Sequence, residues 1–193
     1  MTTVYVVQHG EKERLPGDPG LTARGREQAA LAAKALQNKD LTMIYASPLR
    51  RAIETAEPLA AACGLEIQVD ARATERMNWD GSTPIAQFFE DWTATTADRD
   101  FVPAVGDSSR AAGGRFRDFL VEQENGDAAI AVAAHGGVTV DLLRTLLGDE
   151  AVPGRLLREG IPSGAITTLD GLRVKQIAAI SHLEGLESAH RPD

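Results

Sequence analysis

Two histidines far apart in the chain sit in the same local context. Val4-Tyr5-Val6-Val7 runs into Gln8-His9-Gly10-Glu11, and Ala128-Ala129-Ile130-Ala131-Val132-Ala133-Ala134 runs into His135-Gly136-Gly137. Each stretch reads as a buried strand, then a histidine, then a glycine. Only four histidines occur in the chain, so two of them share this placement. The C-terminal edge of an open α/β sheet is where ligands bind, because the strands end there and the loops leave a crevice. An imidazole at that edge can attack, carry a proton or donate a hydrogen bond near neutral pH. The bland alternative is a histidine on a surface turn. The repeated context favours a site.

Two further groups could complete it. Ser47-Pro48-Leu49-Arg50-Arg51-Ala52 puts two arginines in the first turns of a helix that follows a strand. Helix N-termini favour anions, and a guanidinium fork matches phosphate oxygens. A solvated basic face would read the same way. Glu75 closely follows a short apolar run, in Ala73-Thr74-Glu75-Arg76. If that run is a strand parallel to the others, Glu75 reaches the same edge and could act as general acid and base. On composition alone, an ion pair with Arg72 or Arg76 accounts for it better. Metal binding is the rival chemistry, with His9, His135, Glu11 and Glu75 as donors. There is no His-x-His or His-x-x-His pair, and the arginines would oppose a cation, so no metal is expected. No Gly-x-Ser-x-Gly elbow appears either.

The elements that must position these groups are legible in order. After the first strand, the Pro, Gly and charged residues of 12–20 read as a loop. Thr22 is a candidate N-cap for a helix over about 23–37, where Ala29, Ala32, Ala33 and Leu36 repeat at helical spacing. Leu41 to Ala46 reads as a strand. Ser47 then caps a helix with Pro48 at its first position, Pro58 kinks it and Gly64 closes it. Leu65 to Val69 reads as a third strand. Residues 76–106 hold Trp79, Trp92, Phe88, Phe89 and Phe101 and read as an excursion over the site edge, with a short helix near 84–93. For most of these aromatics a satellite core with no ligand role is the expectation. A helix over about 108–124, the strand into His135 and a helix over about 138–147 follow. Strands near 164–169 and 173–180 flank a turn at Asp170-Gly171, and the tail after Gly185 reads as frayed.

Composition sets bounds. The 193 residues fit one domain, 1–193, with 43% hydrophobic and 25% charged residues. A net charge of −8 argues against general nucleic-acid binding, so any anion site must be a local basic pocket. One cysteine, Cys63, leaves no internal disulfide and fits a reducing cytoplasm. The expectation is no signal peptide and no membrane span.

Taken together, the motifs resemble the histidine phosphatase superfamily, the phosphoglycerate-mutase-like family. Gln8-His9-Gly10 is similar to its first hallmark, Arg-His-Gly. Asp18 to Ala29 is similar to its next element. Ser47-Pro48-Leu49-Arg50-Arg51-Ala52-Ile53-Glu54-Thr55-Ala56 matches its Ser-x-Leu-x-Arg-Ala-x-x-Thr-Ala pattern, which selects Arg51 over Arg50. Glu75 to Gly81 resembles the stretch carrying the acid, His135-Gly136-Gly137 the second hallmark, and Ser181-His182-Leu183 the closing stretch. The resemblance implies a single three-layer α/β domain with a largely parallel central sheet flanked by helices.

It also implies a phosphomonoester hydrolase acting through a phosphohistidine on a small phosphorylated metabolite. His9 would be the nucleophile, His135 and Arg51 would hold phosphoryl oxygens, and Glu75 would be the acid. Gln8, Gly10, Gly136 and Thr22 are the implied substrate-binding positions. No cofactor and no metal are implied. The implied partner is a small anionic substrate, with no nucleic acid and no membrane; assembly as a homodimer stays open. The departure is Gln8, which offers N–H donors but no charge. Lys12, Arg14 or Arg76 could supply that charge. The alternatives are a phosphomutase, a weak member binding an anionic ligand, or an enzyme acting on a non-phosphate substrate.

Overall fold

Four short apolar runs become the parallel heart of a sheet. In the computed structural model, which describes residues 1–124 and 126–186, they are β1 (Thr3–Gln8), β2 (Leu41–Ala46), β3 (Ile67–Val69) and β4 (Ala129–Ala134). Two late strands, β5 (Ile166–Asp170) and β6 (Arg173–Ala179), complete the order β3-β2-β4-β1-β5-β6. β5 runs antiparallel to β1, and β6 antiparallel to β5. The tight Asp170-Gly171 connection dictates that antiparallel pair, because parallel neighbours need a crossover.

Helices cover both faces. α1 (Ala23–Leu36) and α2 (Arg50–Cys63) pack on one side, against Val7, Ile44, Ala46, Ala131 and Ala133. α4 (Ser109–Glu122) and α5 (Gly136–Leu147) pack on the other, against Val4, Val6, Ile130, Val132 and Ala134. The strict alternation of these residues along β1 and β4 is the period-2 pattern of a sheet buried on both faces. The result is one three-layer α/β domain. No helix among the described residues is long and apolar enough to cross a membrane.

Several boundaries differ from the expected ones. α2 starts at Arg50, with Leu49 at its N-cap and no side-chain cap. Ser47 is drawn away from capping by another partner, described below. Pro58 lies inside α2, which runs on to Cys63 and closes at Gly64 with φ 66°. The excursion carries a longer helix than expected, α3 (Ile85–Ala97), of which only Asp91 and Thr95 are buried. α5 begins directly at Gly136, two residues early. A short helix, α6 (Gly154–Glu159), has no clear sequence signal because its apolar face is only Leu156 and Leu157. The expected fraying of the tail concerns mainly residues outside the described ones.

Two glycines let the site loop close. A Cβ on Gly10 would collide with the backbone of Gly25, and a Cβ on Gly25 would collide with that of Glu11. The start of α1 is therefore pressed backbone to backbone against the turn after His9.

Candidate active site

The pairing of β1 with β4 sets the first distance. Gln8 lies opposite Ala134, and the His9 N–H donates to the Ala134 carbonyl at 3.0 Å. His9 and His135 therefore leave adjacent strands side by side, with ring centroids 5.1 Å apart. His9 is nearly buried. Its Nδ1–H donates to the Gly10 carbonyl at 2.7 Å, which leaves the lone pair on Nε2. Burial first, then the Arg51 charge, pushes its pKa down to about 3, against the Gly10 bond. His9 is thus neutral at physiological pH, with a nucleophilic nitrogen.

His135 is fully buried and its pKa lies well below the usual histidine value, through burial first and then the neighbouring His9 ring and Arg51 guanidinium, which disfavour a second charge beside them. Its Nε2 is 2.6 Å from the Ser47 Oγ. Ser47 Oγ also accepts the Leu49 N–H at 3.2 Å, which leaves its own O–H and one lone pair for His135 Nε2. With the Ser47 O–H as donor, the imidazole proton is on Nδ1, which has no partner among the described residues. Arg51 is likewise buried. Its Nη2 donates to Asn78 at 3.1 Å, while Nε and Nη1 are unpartnered apart from a 4.0 Å approach to Asp18. Three buried N–H groups therefore await an acceptor, in a structure where such groups are almost always satisfied. An anion would satisfy them together.

Glu75 sits over the start of α5. Its Oε1 accepts the N–H of Arg76 at 2.7 Å and of Val138 at 2.8 Å, and its Oε2 accepts that of Gly137 at 3.0 Å. A side chain on Gly137 would displace it, since a Cβ there would run into the carboxylate and Trp92. Asp18 takes the corresponding place at α2, accepting the Arg50 N–H at 2.9 Å. The N-terminus of α2, expected to face an anion, and that of α5 thus both carry protein carboxylates. The anion donors are side chains instead.

His9, Arg51 and Glu75 open into one cavity of about 320 Å³, while His135 is fully buried beside His9 and is not part of its lining. His9, Arg51, Glu75 and Lys12 line it on the polar side. Trp79, Phe88, Phe89 and Trp92 line it too, so the expectation of a satellite core fails for four of the five aromatics in the excursion. The reason is that α3 lies across the crevice edge and buries little of itself elsewhere. Trp92 is fixed by the Arg76 guanidinium, 4.4 Å from its ring centre. Arg76 in turn pairs with buried Asp141 at 2.9 Å, so its charge is spent there. Arg14 is exposed and does not line the cavity, which leaves Lys12 as the cation beside Arg51.

Gln8, Gly10, Gly136 and Thr22 stand outside the cavity wall. Gln8 is buried, with Oε1 unpartnered and Nε2 close to Gly136. Thr22 caps α1 through the Gly25 N–H at 3.0 Å and donates to Glu11 at 2.9 Å. Ser47, Thr55 and Asn78 belong to the arrangement without having been expected as site residues. Thr55 accepts the Gly10 N–H at 3.1 Å and donates to the Arg51 carbonyl at 2.7 Å, tying the histidine turn to the arginine helix. All three lie in stretches that match the family pattern, which is the signal that could have marked them.

The sequence profile of the histidine phosphatase superfamily, branch 1, matches residues 4–175. The chain belongs to the histidine phosphatase superfamily. Among curated relatives, it is 33% identical to a probable phosphoglycerate mutase GpmB of Serratia proteamaculans over 177 residues, 82% of this chain and 80% of that one. It is 43% identical over 86 residues to the uncharacterized protein Rv0525 of Mycobacterium tuberculosis, and that alignment spans only 42% of the relative. Among solved structures, it resembles mycobacterial glucosyl-3-phosphoglycerate phosphatase in complex with inorganic phosphate. The TM-score is 0.72 at 27% identity, over 92% of this chain and 97% of that one. It also resembles Bacillus stearothermophilus YhfR, with TM-score 0.74 at 25% identity, over 95% and 100% of the two chains.

In this histidine phosphatase superfamily member, two buried neutral histidines make stability pH-dependent. Both pKa values are lower in the folded than in the unfolded chain, so the unfolded chain binds more protons below about pH 6.5. Their contribution is present above that pH and is lost as pH falls towards 3. His9 should cost about 2 kcal/mol at pH 5 relative to pH 7, and His135 adds to the loss in the same direction. Asp141, raised to about 6 by burial, opposes part of this between about pH 4 and 6. The expected result is a urea midpoint that drops from pH 7 to pH 5, with a shallower drop in His135→Gln. A midpoint flat across that range would refute the neutral, buried pair.

Proposed function

We propose that the protein is a phosphomonoester hydrolase that transfers the phosphoryl group to His9 and then to water. The observation that carries this reading is the open Nε2 of His9 beside the unpartnered N–H groups of Arg51 and His135. His9 Nε2 attacks phosphorus as the bond to the ester oxygen breaks. Glu75 delivers a proton to the departing alcohol, and the phosphoryl group stays on His9. Glu75 then takes a proton from water, whose oxygen attacks phosphorus and breaks the P–N bond, releasing phosphate. Charge accumulates on the three equatorial oxygens during both transfers, which is where fixed donors act most strongly. Arg51, Lys12 and the His135 Nδ1–H supply them, and no step needs a metal. The single cysteine is compatible with a cytoplasmic location.

A panel of phosphomonoesters, assayed for free phosphate in the presence of a chelator, tests this reading. Release from some members is expected, and the chelator should change nothing. Isomerised product without release would instead favour the mutase reading that the GpmB likeness raises. Gln8 bears on the rate. Gln8→Arg should raise kcat/KM on phosphomonoesters on the order of tenfold, since it adds a charged donor near the start of α5. The gain should vanish when His9→Ala is added. A folded Gln8→Arg protein with no gain would mean that Lys12 and Arg51 already suffice.

A further inference from the structure

We infer that the alcohol part of the substrate is an uncharged apolar group, such as a single aromatic ring or a branched chain of similar bulk. The inference rests on the phosphatase reading and specifies its substrate class. The cavity is two-sided. Its buried end holds His9, Arg51 and Glu75, and its outer wall is Leu15, Trp79, Ile85, Phe88, Phe89 and Trp92. Three of these are among the most exposed large apolar side chains of the protein: Leu15 at 63%, Phe89 at 59% and Ile85 at 44%. They come from two separate segments, the loop after β1 and α3, and they meet only around this cavity. Isolated exposed apolar residues need no explanation, but a converging set rimming a polar pocket does.

Charge points the same way. The lining holds only two cations, Arg51 and Lys12. Burial and then the Arg51 charge hold the Lys12 pKa down, and the Lys12 charge also acts on His9. All of the positive charge therefore converges on the phosphoryl position. A carboxylate or second phosphate on the alcohol would meet aromatic rings and no partner. Burying an unpaired charge there is strongly unfavourable, whereas covering a ring is favourable. A volume of about 320 Å³ accommodates the phosphoryl group and one such unit.

Two non-hydrolysable phosphonates separate this from the phosphatase reading. Benzylphosphonate and methylphosphonate carry the same head group and differ only by the ring. Calorimetric titration of the full chain should give benzylphosphonate an affinity at least ~10-fold higher. Phe89→Ser should reduce that ratio, and because Phe89 is mostly exposed the fold should survive. Turnover is then compared on benzyl phosphate, glycerol phosphate and 3-phosphoglycerate, whose leaving alcohols are similarly basic. The expected order in kcat/KM is benzyl first, by on the order of 30-fold, with 3-phosphoglycerate last. Equal phosphonate affinities, or a preference for 3-phosphoglycerate, would overturn the inference and leave the hydrolase intact. Tighter benzylphosphonate binding with no release from any ester would uphold the inference and sink the hydrolase.

Discussion

His9→Ala is expected to abolish phosphate release, lowering kcat on the order of 10⁴-fold or more, because it removes the atom that forms the covalent bond. The drop should fall on kcat. Ground-state binding of a phosphonate should survive, since Arg51 and the His135 Nδ1–H remain. In the unaltered protein, a rapid quench during turnover should trap phosphate on the chain as a phosphoramidate, stable to alkali and labile to acid. His9→Ala should trap none. If the variant kept even a tenth of the activity, or the trapped phosphate mapped to another residue, the mechanism would fall. The choice of nitrogen is also testable. The Nδ1–H is committed to the Gly10 carbonyl at 2.7 Å, so the adduct should be the Nε2 isomer.

Arg51→Ala should come next, with kcat/KM lowered on the order of 10²- to 10³-fold. Arg51 is buried, and its Nε and Nη1 have no hydrogen-bond partner among the described residues, only the 4.0 Å approach of Asp18 to Nη1, so its charge is available where transferring oxygens collect. Arg51→Lys should recover only part of the loss, because an ammonium lacks the planar fork. The neighbouring Arg50 provides the control. It is exposed and bonded to Glu54 at 2.6 Å, so Arg50→Ala should change activity little. A larger loss at Arg50 than at Arg51 would show the anion to lie outside the crevice.

The buried strands were legible because their residues have few other uses. Val4 to Val7 and Ala129 to Ala134 are apolar but for the Tyr5 hydroxyl, and a sheet covered on both faces is what buries such runs. His9 and His135 were legible for the same reason, since each interrupts a run at its end. Arg51 was not separable from Arg50 by physics, because both fall in the first turn of one helix; the family pattern chose between them. Ser47 was misread as a cap because capping and bonding to a distant imidazole use the same hydroxyl. The α3 aromatics were misread because spacing says that a side chain is apolar, not which face of the fold it meets. Only the position of α3 across the sheet edge decides that.

The uneven anchoring of the two walls has a consequence for motion. His9 and His135 leave β1 and β4 at the centre of the sheet, where backbone amides should exchange with solvent only when the whole domain opens. α3 buries just Asp91 and Thr95 and carries half of the opposite wall. Its amides belong to a unit that can open alone, at far lower free energy. The chemistry is then as durable as the fold, while the wall that meets the alcohol can reshape without disturbing it. Changes within 85–97 can therefore alter which esters are accepted while the distance between the two histidines stays fixed.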